Sequence, residues 1–130
     1  MKKYSVDATS ITPLINFDLS SGALEIKGFS IPENSIEFYK PLNEALDKYA
    51  NSSQPVTKVI IELEYFNTSS SKCLLGILRK LEAINKNGSA VTINWLYEEG
   101  DEDMLQAGED YHAIINVPFN MAQVSDIRSK

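Results

Sequence analysis

The run Asn67-Thr68-Ser69-Ser70-Ser71-Lys72 sets four consecutive hydroxyl side chains where a strand-like pattern gives way to a helical one. Upstream, Val59-Ile60-Ile61-Glu62-Leu63-Glu64-Tyr65-Phe66 reads as a strand. Downstream, Leu74, Ile77, Leu78, Leu81 and Ile84 recur at helical spacing. Hydroxyls at such a junction can do one of two things. One of them can cap the helix, taking up a backbone N–H that has no partner within the helix. Alternatively, one can accept a phosphate, which the positive end of the helix and the neighbouring Lys72 would tolerate. The phosphate would add about two negative charges to a surface of small neutral groups. A partner lying flat on that surface would be expelled without any change of fold. The residues themselves leave Thr68, Ser69 and Ser70 open as the acceptor.

Other residues offer less chemistry. His112 is the single histidine and Cys73 the single cysteine. No disulfide within the chain and no zinc site of the Cys/His type can be built from them. His112 reads as a structural histidine. Cys73 sits in the first turn of the helix, where the dipole could lower its pKa, but a small packing residue is the simpler reading. Glu98, Glu99, Asp101, Glu102 and Asp103 lack the ligand spacing of a calcium loop and read as a solvated acidic turn. No glycine-rich loop precedes a helix, so there is no nucleotide fingerprint. No cofactor or metal is expected, and no catalytic residues.

The 130 residues, 43% of them apolar, suit one globular domain spanning residues 1–130. A net charge of −6 argues against nucleic acid as a partner and against anionic membranes. No apolar run approaches the ~20 residues of a membrane span, and no signal peptide stands at the start. The expectation is a cytoplasmic protein with no direct membrane insertion.

The elements that would position the hydroxyl run follow from periodicity. Residues 11–19 read as an edge strand interrupted by Pro13. Ser20-Ser21-Gly22 turns the chain into a second strand, 23–28, making a hairpin. Pro32-Glu33-Asn34-Ser35 opens a helix with Asn34 as its cap and Glu37 three residues on. Ile36, Tyr39, Leu42, Leu46 and Tyr49 form its stripe, and Pro41 within it predicts a kink. Residues 56–66 form the best strand, and the continuous Val59-Ile60-Ile61 run predicts a central strand covered on both faces. The next helix ends at Gly88 in a left-handed cap. Residues 90–97 form a further strand, parallel to 56–66 because a helix connects them. A third helix follows the acidic turn, and a last short strand covers 114–119. Residues 1–8 and 125–130 are expected to fray. The sum is an α/β fold: a single small domain, a mixed sheet of about five strands with helices packed on it.

At the hydroxyl run the chain resembles the SiaC family of bacterial regulatory phosphoproteins. Tyr65-Phe66-Asn67-Thr68-Ser69-Ser70-Ser71-Lys72 carries the likeness, supported by Pro32-Glu33-Asn34-Ser35 and by element order over residues 12–119. The resemblance implies a fold similar to the STAS domain of anti-sigma-factor antagonists. It implies that Thr68 is the phosphoacceptor, with Asn67, Ser69, Ser70, Lys72, Glu33, Asn34 and Ser35 as partner-binding residues. It further implies a SiaB-type protein kinase, a SiaA-type protein phosphatase, and a diguanylate cyclase of the SiaD type. The unphosphorylated form would bind and activate that cyclase, raising cyclic di-GMP and favouring biofilm. The same switch would serve an anti-sigma-factor antagonist acting on transcription. Pro41 departs from the unbroken first helix expected in the family.

Overall fold

The computed structural model describes residues 2–125. Six strands and three helices follow one another: β1 (Lys3–Val6), β2 (Leu14–Asp18), β3 (Ala23–Ser30), α1 (Ser35–Ala50), β4 (Val56–Phe66), α2 (Thr68–Lys86), β5 (Ala90–Glu98), α3 (Glu102–Ile114) and β6 (Phe119–Val124). They form one sheet in the order β1-β2-β3-β4-β5-β6. The β1/β2 and β2/β3 pairs are antiparallel, and the three remaining pairs are parallel. The hairpin, the helix-linked parallel pair and the α/β class are therefore as the sequence reads.

Register sorts the side chains onto two faces. Ile15 pairs with Ile26, Ile26 with Ile61, and Ile61 with Trp95. All four are buried, and they lie under the helices. Edge-to-face aromatic contacts join the layers: Phe17 meets Tyr49 of α1 at 5.3 Å, and Trp95 meets Tyr111 of α3 at 5.6 Å. The opposite face carries Asn16, Glu25, Ile60 and Asn94 in the same register, and none of the three helices lies over it. The helices thus cover β4 on one side, while on the other Glu62 is buried and Ile60 half-buried. Ile60 makes the apolar run of β4 continuous, while its alternate positions hold the charged Lys58, Glu62 and Glu64, of which Glu62 is nonetheless buried.

Four expectations are corrected. The sheet has six strands, because residues 3–6, expected to fray, form an edge strand. Tyr4 and Val6 pack half-buried against the core from it. Residues 14–18 are thus not the edge, and Pro13 lies just outside β2, where its missing N–H disturbs no ladder. The last strand covers Phe119–Val124, because α3 runs on to Ile114 and Pro118 precedes the strand. The fraying expected of residues 125–130 falls, beyond Ser125, outside the described residues. Pro41 sits within a single α1, whose N-cap is Asn34 as read from the sequence.

Candidate functional site

β3 and β4 are parallel neighbours, so their C-terminal ends emerge together, with Ser30 opposite Phe66. Each leads into a helix: α1 begins at Ser35 and α2 at Thr68. The two helix starts are therefore side by side, and their hydroxyls meet. Ser35 Oγ and Ser69 Oγ share a hydrogen bond of 2.7 Å, although 34 positions separate them in the chain. This brings the Pro32-Glu33-Asn34-Ser35 segment against the hydroxyl run.

The cap of α2 is Asn67. Its φ of −83° and ψ of 175° are extended, and its Oδ1 accepts the Ser70 N–H at 2.9 Å. The hydroxyls are thus released from the role that the sequence left open to them. Each of the three serines is then used elsewhere. Ser69 donates to Asn67 Oδ1 at 3.2 Å and is held to α1 through Ser35. Ser70 is buried and donates to the Ser30 carbonyl at 2.9 Å, while Ser30 Oγ donates back to it at 2.8 Å. Tyr39 of α1 closes this buried chain on Ser30 at 2.6 Å. Burial pushes the Tyr39 phenol up to about 12, the Ser30 bond opposing in part. Ser71 turns the other way: Tyr111 of α3 donates to its carbonyl at 2.8 Å, and the two hydroxyls share a bond of 3.1 Å.

Thr68 differs from all three. It is exposed, and its hydroxyl makes no hydrogen bond to any described residue. Lys72, one helical turn on, is also exposed and forms no ion pair with a described residue. Thr68 and Lys72 stand at i and i+4 on one face of α2, within reach of each other. Asn67 is half-buried, and Ser69, Glu33 and Asn34 lie at the surface, whereas Ser35 and Ser70 are buried beneath them. The predicted set therefore divides into an outer layer and two serines that hold the layer's backbone in place.

The remaining reactive groups lie apart from this chemistry. His112 is exposed and stacks on Phe119 at 5.2 Å. Burial raises the Cys73 thiol above its ordinary value, opposite to the dipole effect that its place in the helix suggested. Among the described residues no three carboxylate, histidine or cysteine side chains cluster as metal ligands would. No helix among them is long and apolar enough to cross a membrane.

Sequence reasoning missed two contributors. Ser30 and Tyr111 are 40 positions away from the serines they hold, and only the pairing of β3 with β4 and the packing of α3 reveal them. A sequence signal did exist for Asn67: Asn ranks with Asp and Ser as a cap, and it is the first of the run.

The fold and the site together define a small α/β domain that carries an exposed, unengaged hydroxyl at a helix start behind a central strand. The comparisons with known proteins give the family. The family model described as "SiaC family regulatory phosphoprotein" matches residues 6–124, and the chain belongs to the SiaC family. An uncharacterised protein of Pseudomonas aeruginosa strain UCBPP-PA14 is 29% identical over 119 residues, covering 92% of this chain and 94% of its own length. The chain is also similar to a chain in the crystal structure of the diguanylate cyclase SiaD in complex with its activator SiaC from P. aeruginosa. That match has a TM-score of 0.87 at 28% identity, over 93% of this chain and 99% of that one. Apo-SiaC from the same species matches with a TM-score of 0.86 at 28% identity, over 94% and 99% of the respective chains.

Proposed function

We propose that this chain is a non-catalytic binding protein switched by reversible phosphorylation of Thr68, and that its unphosphorylated form binds and activates a diguanylate cyclase in the cytoplasm. A SiaB-type kinase adds the phosphate and a SiaA-type phosphatase removes it. The observation that carries the reading is the division of labour in the hydroxyl run. Asn67 caps α2 and three serines hold neighbouring elements, which leaves the Thr68 hydroxyl exposed and without a structural task. A kinase can reach it, and a phosphate there disturbs no bond of the fold. The phosphate meets the N-terminal dipole of α2 and the Lys72 ammonium, both favourable to a dianion. The SiaD complex of the related activator favours a cyclase as target over an anti-sigma factor.

Two measurements test the proposal. Peptide mass spectrometry of the protein from its native cells should map one phosphate to Thr68, removable by phosphatase. The unphosphorylated protein should then raise the turnover of a diguanylate cyclase from the same cells, and the phosphorylated protein should not. Absence of phosphate under every growth condition, or equal stimulation by both forms, would sink the reading.

A further inference from the structure

The end of the sheet that carries Thr68 also gathers exposed apolar side chains. Among the described residues the exposed large hydrophobics are Ile11, Ile36, Val56, Tyr65 and Ile114. Singly scattered residues of this kind need no explanation. Three of these five, however, surround the β3–α1 and β4–α2 junctions. Ile36 is 77% exposed and follows Ser35, which is bonded to Ser69. Tyr65 is 55% exposed and stands three residues before Thr68. The Ile11 carbonyl accepts the Ile31 N–H at 2.8 Å, which fixes it beside the segment leading from β3 to α1. Val56 begins β4 and Ile114 ends α3, at the other end of the sheet.

A break in the β3/β4 ladder strengthens the case. Gly28 pairs with Leu63, but Phe29 pairs with Tyr65, so Glu64 is an extra residue. One extra residue reverses the faces to which the following side chains point. Phe66 consequently turns under the helices, where its ring meets Trp95 at 6.4 Å. Tyr65 is turned outward on the opposite side. The irregularity aims a large aromatic ring at solvent just before the switch residue.

We infer that Ile36 and Tyr65, exposed at the end of the sheet that carries Thr68, are the apolar anchors by which the unphosphorylated chain holds its cyclase. The inference rests on the phospho-switch reading and adds what the cyclase must present: an apolar, uncharged contact surface with no cluster of cations facing Thr68. This chain's own side brings Ile36, Tyr65 and the Thr68 and Ser69 hydroxyls to one end of the sheet, and the charged Glu33, Glu37 and Lys72 are exposed at the same two helix starts. Such a contact tolerates a neutral threonine. A phosphate there would have to surrender its hydration to an apolar surface, which is strongly unfavourable without paired cations. A target with facing arginines would instead prefer the phosphorylated form.

The test is a titration of each purified diguanylate cyclase of the source organism with the full-length chain, reading cyclic di-GMP synthesis. Ile36→Ser and Tyr65→Ser should each raise the half-stimulating concentration about ten-fold or more, as anchors do. Val56→Ser, at the opposite end, should stay within about two-fold. Melting curves of the three variants check that the fold survives. If both anchor variants match the parent while Thr68→Asp fails to stimulate, the patch is wrong and the switch stands. If the anchor variants fail and Thr68→Asp matches the parent, the patch stands and the phosphate switch falls. If Thr68→Asp stimulates better than the parent, the target presents cations and the inferred chemistry is overturned. If no cyclase responds to the parent chain, both ideas fall.

Discussion

Neighbouring hydroxyls in one helical turn have opposite worth to the fold, and this is the sharpest statement the structure makes about single residues. Thr68→Ala removes an exposed group with no bond to lose, so stability should stay within about 0.5 kcal/mol of the parent in urea denaturation. Ser70→Ala leaves the Ser30 carbonyl and hydroxyl in a buried site without their partner, and should cost about 1–3 kcal/mol. Asn67→Ala should cost about 1 kcal/mol as a lost cap. A reversed order for Thr68 and Ser70 would mean that the wrong hydroxyl has been assigned to the surface. Tyr39 makes a second prediction. Its phenol is pushed from an ordinary value of 10.0 to about 12 by burial. Between these values the folded chain holds a proton that the unfolded chain releases. Stability is therefore fully present below pH 10 and falls as pH rises towards 12, by about 1.4 kcal/mol per unit from this group. Tyr111 is shifted in the same direction and adds to the slope. Alkaline denaturation at pH 9, 10 and 11 should show it, and Tyr39→Phe should flatten it. The hydroxyl run was legible in the sequence as the start of a helix behind a strand. Which hydroxyl was free was not, because the partners of the serines come from β3, α1 and α3.

At the scale of elements, periodicity succeeded where a segment packs one clear face, and failed where it does not. α1, α2, β4 and β5 were readable because each repeats its apolar positions over many residues and ends at a recognisable cap, such as Gly88 with φ 119° after α2. β1 was missed because it is a four-residue edge strand with one lysine before it and another as its first residue. α3 read only loosely because one of its core contacts is a glycine. A Cβ on Gly108 would lie 2.5 Å from Trp95 Cδ1, so the helix lies close to the ring with no apolar residue there to announce it. β6 was placed too early because the apolar residues of 114–119 end one helix before they begin a strand. Pro41 remains the element-scale oddity: a proline inside α1, on its exposed side, that removes one helical hydrogen bond. Pro41→Ala should stabilise the protein by about 2 kcal/mol, the interior-proline penalty less the extra freedom given to the unfolded chain. The measurement is the urea midpoint at unchanged m-value. A lower midpoint would show that proline pre-orders α1 more than it strains it.

For the whole molecule, the proposed phosphorylation of Thr68 raises the question whether a phosphate there would act on the surface or on the fold. The architecture favours the surface. The core lies between one sheet face and three helices, and Thr68 is exposed, its hydroxyl making no hydrogen bond to the buried serine chain beneath it. At the first position of α2 a negative charge meets the helix dipole, worth about 0.3–1 kcal/mol in favour of the folded state. Thr68→Asp should therefore melt at or slightly above the parent, with an unchanged far-ultraviolet spectrum. The authentic phosphoprotein should do the same while its net charge moves from −6 towards about −8. Both forms should nevertheless lose cyclase binding. Hydrogen exchange separates this from a conformational switch. If the phosphate acts only on the surface, amide protection in β3, α1 and α3 stays as in the parent, and differences are confined to the first turn of α2. If protection instead falls along α1, the Ser35–Ser69 bond is being broken from above, and the phosphate works by prising two helix starts apart. The buried hydrogen-bond chain from Tyr39 through Ser30 to Ser70 makes that second course costly, since each hydroxyl freed there would lack a partner.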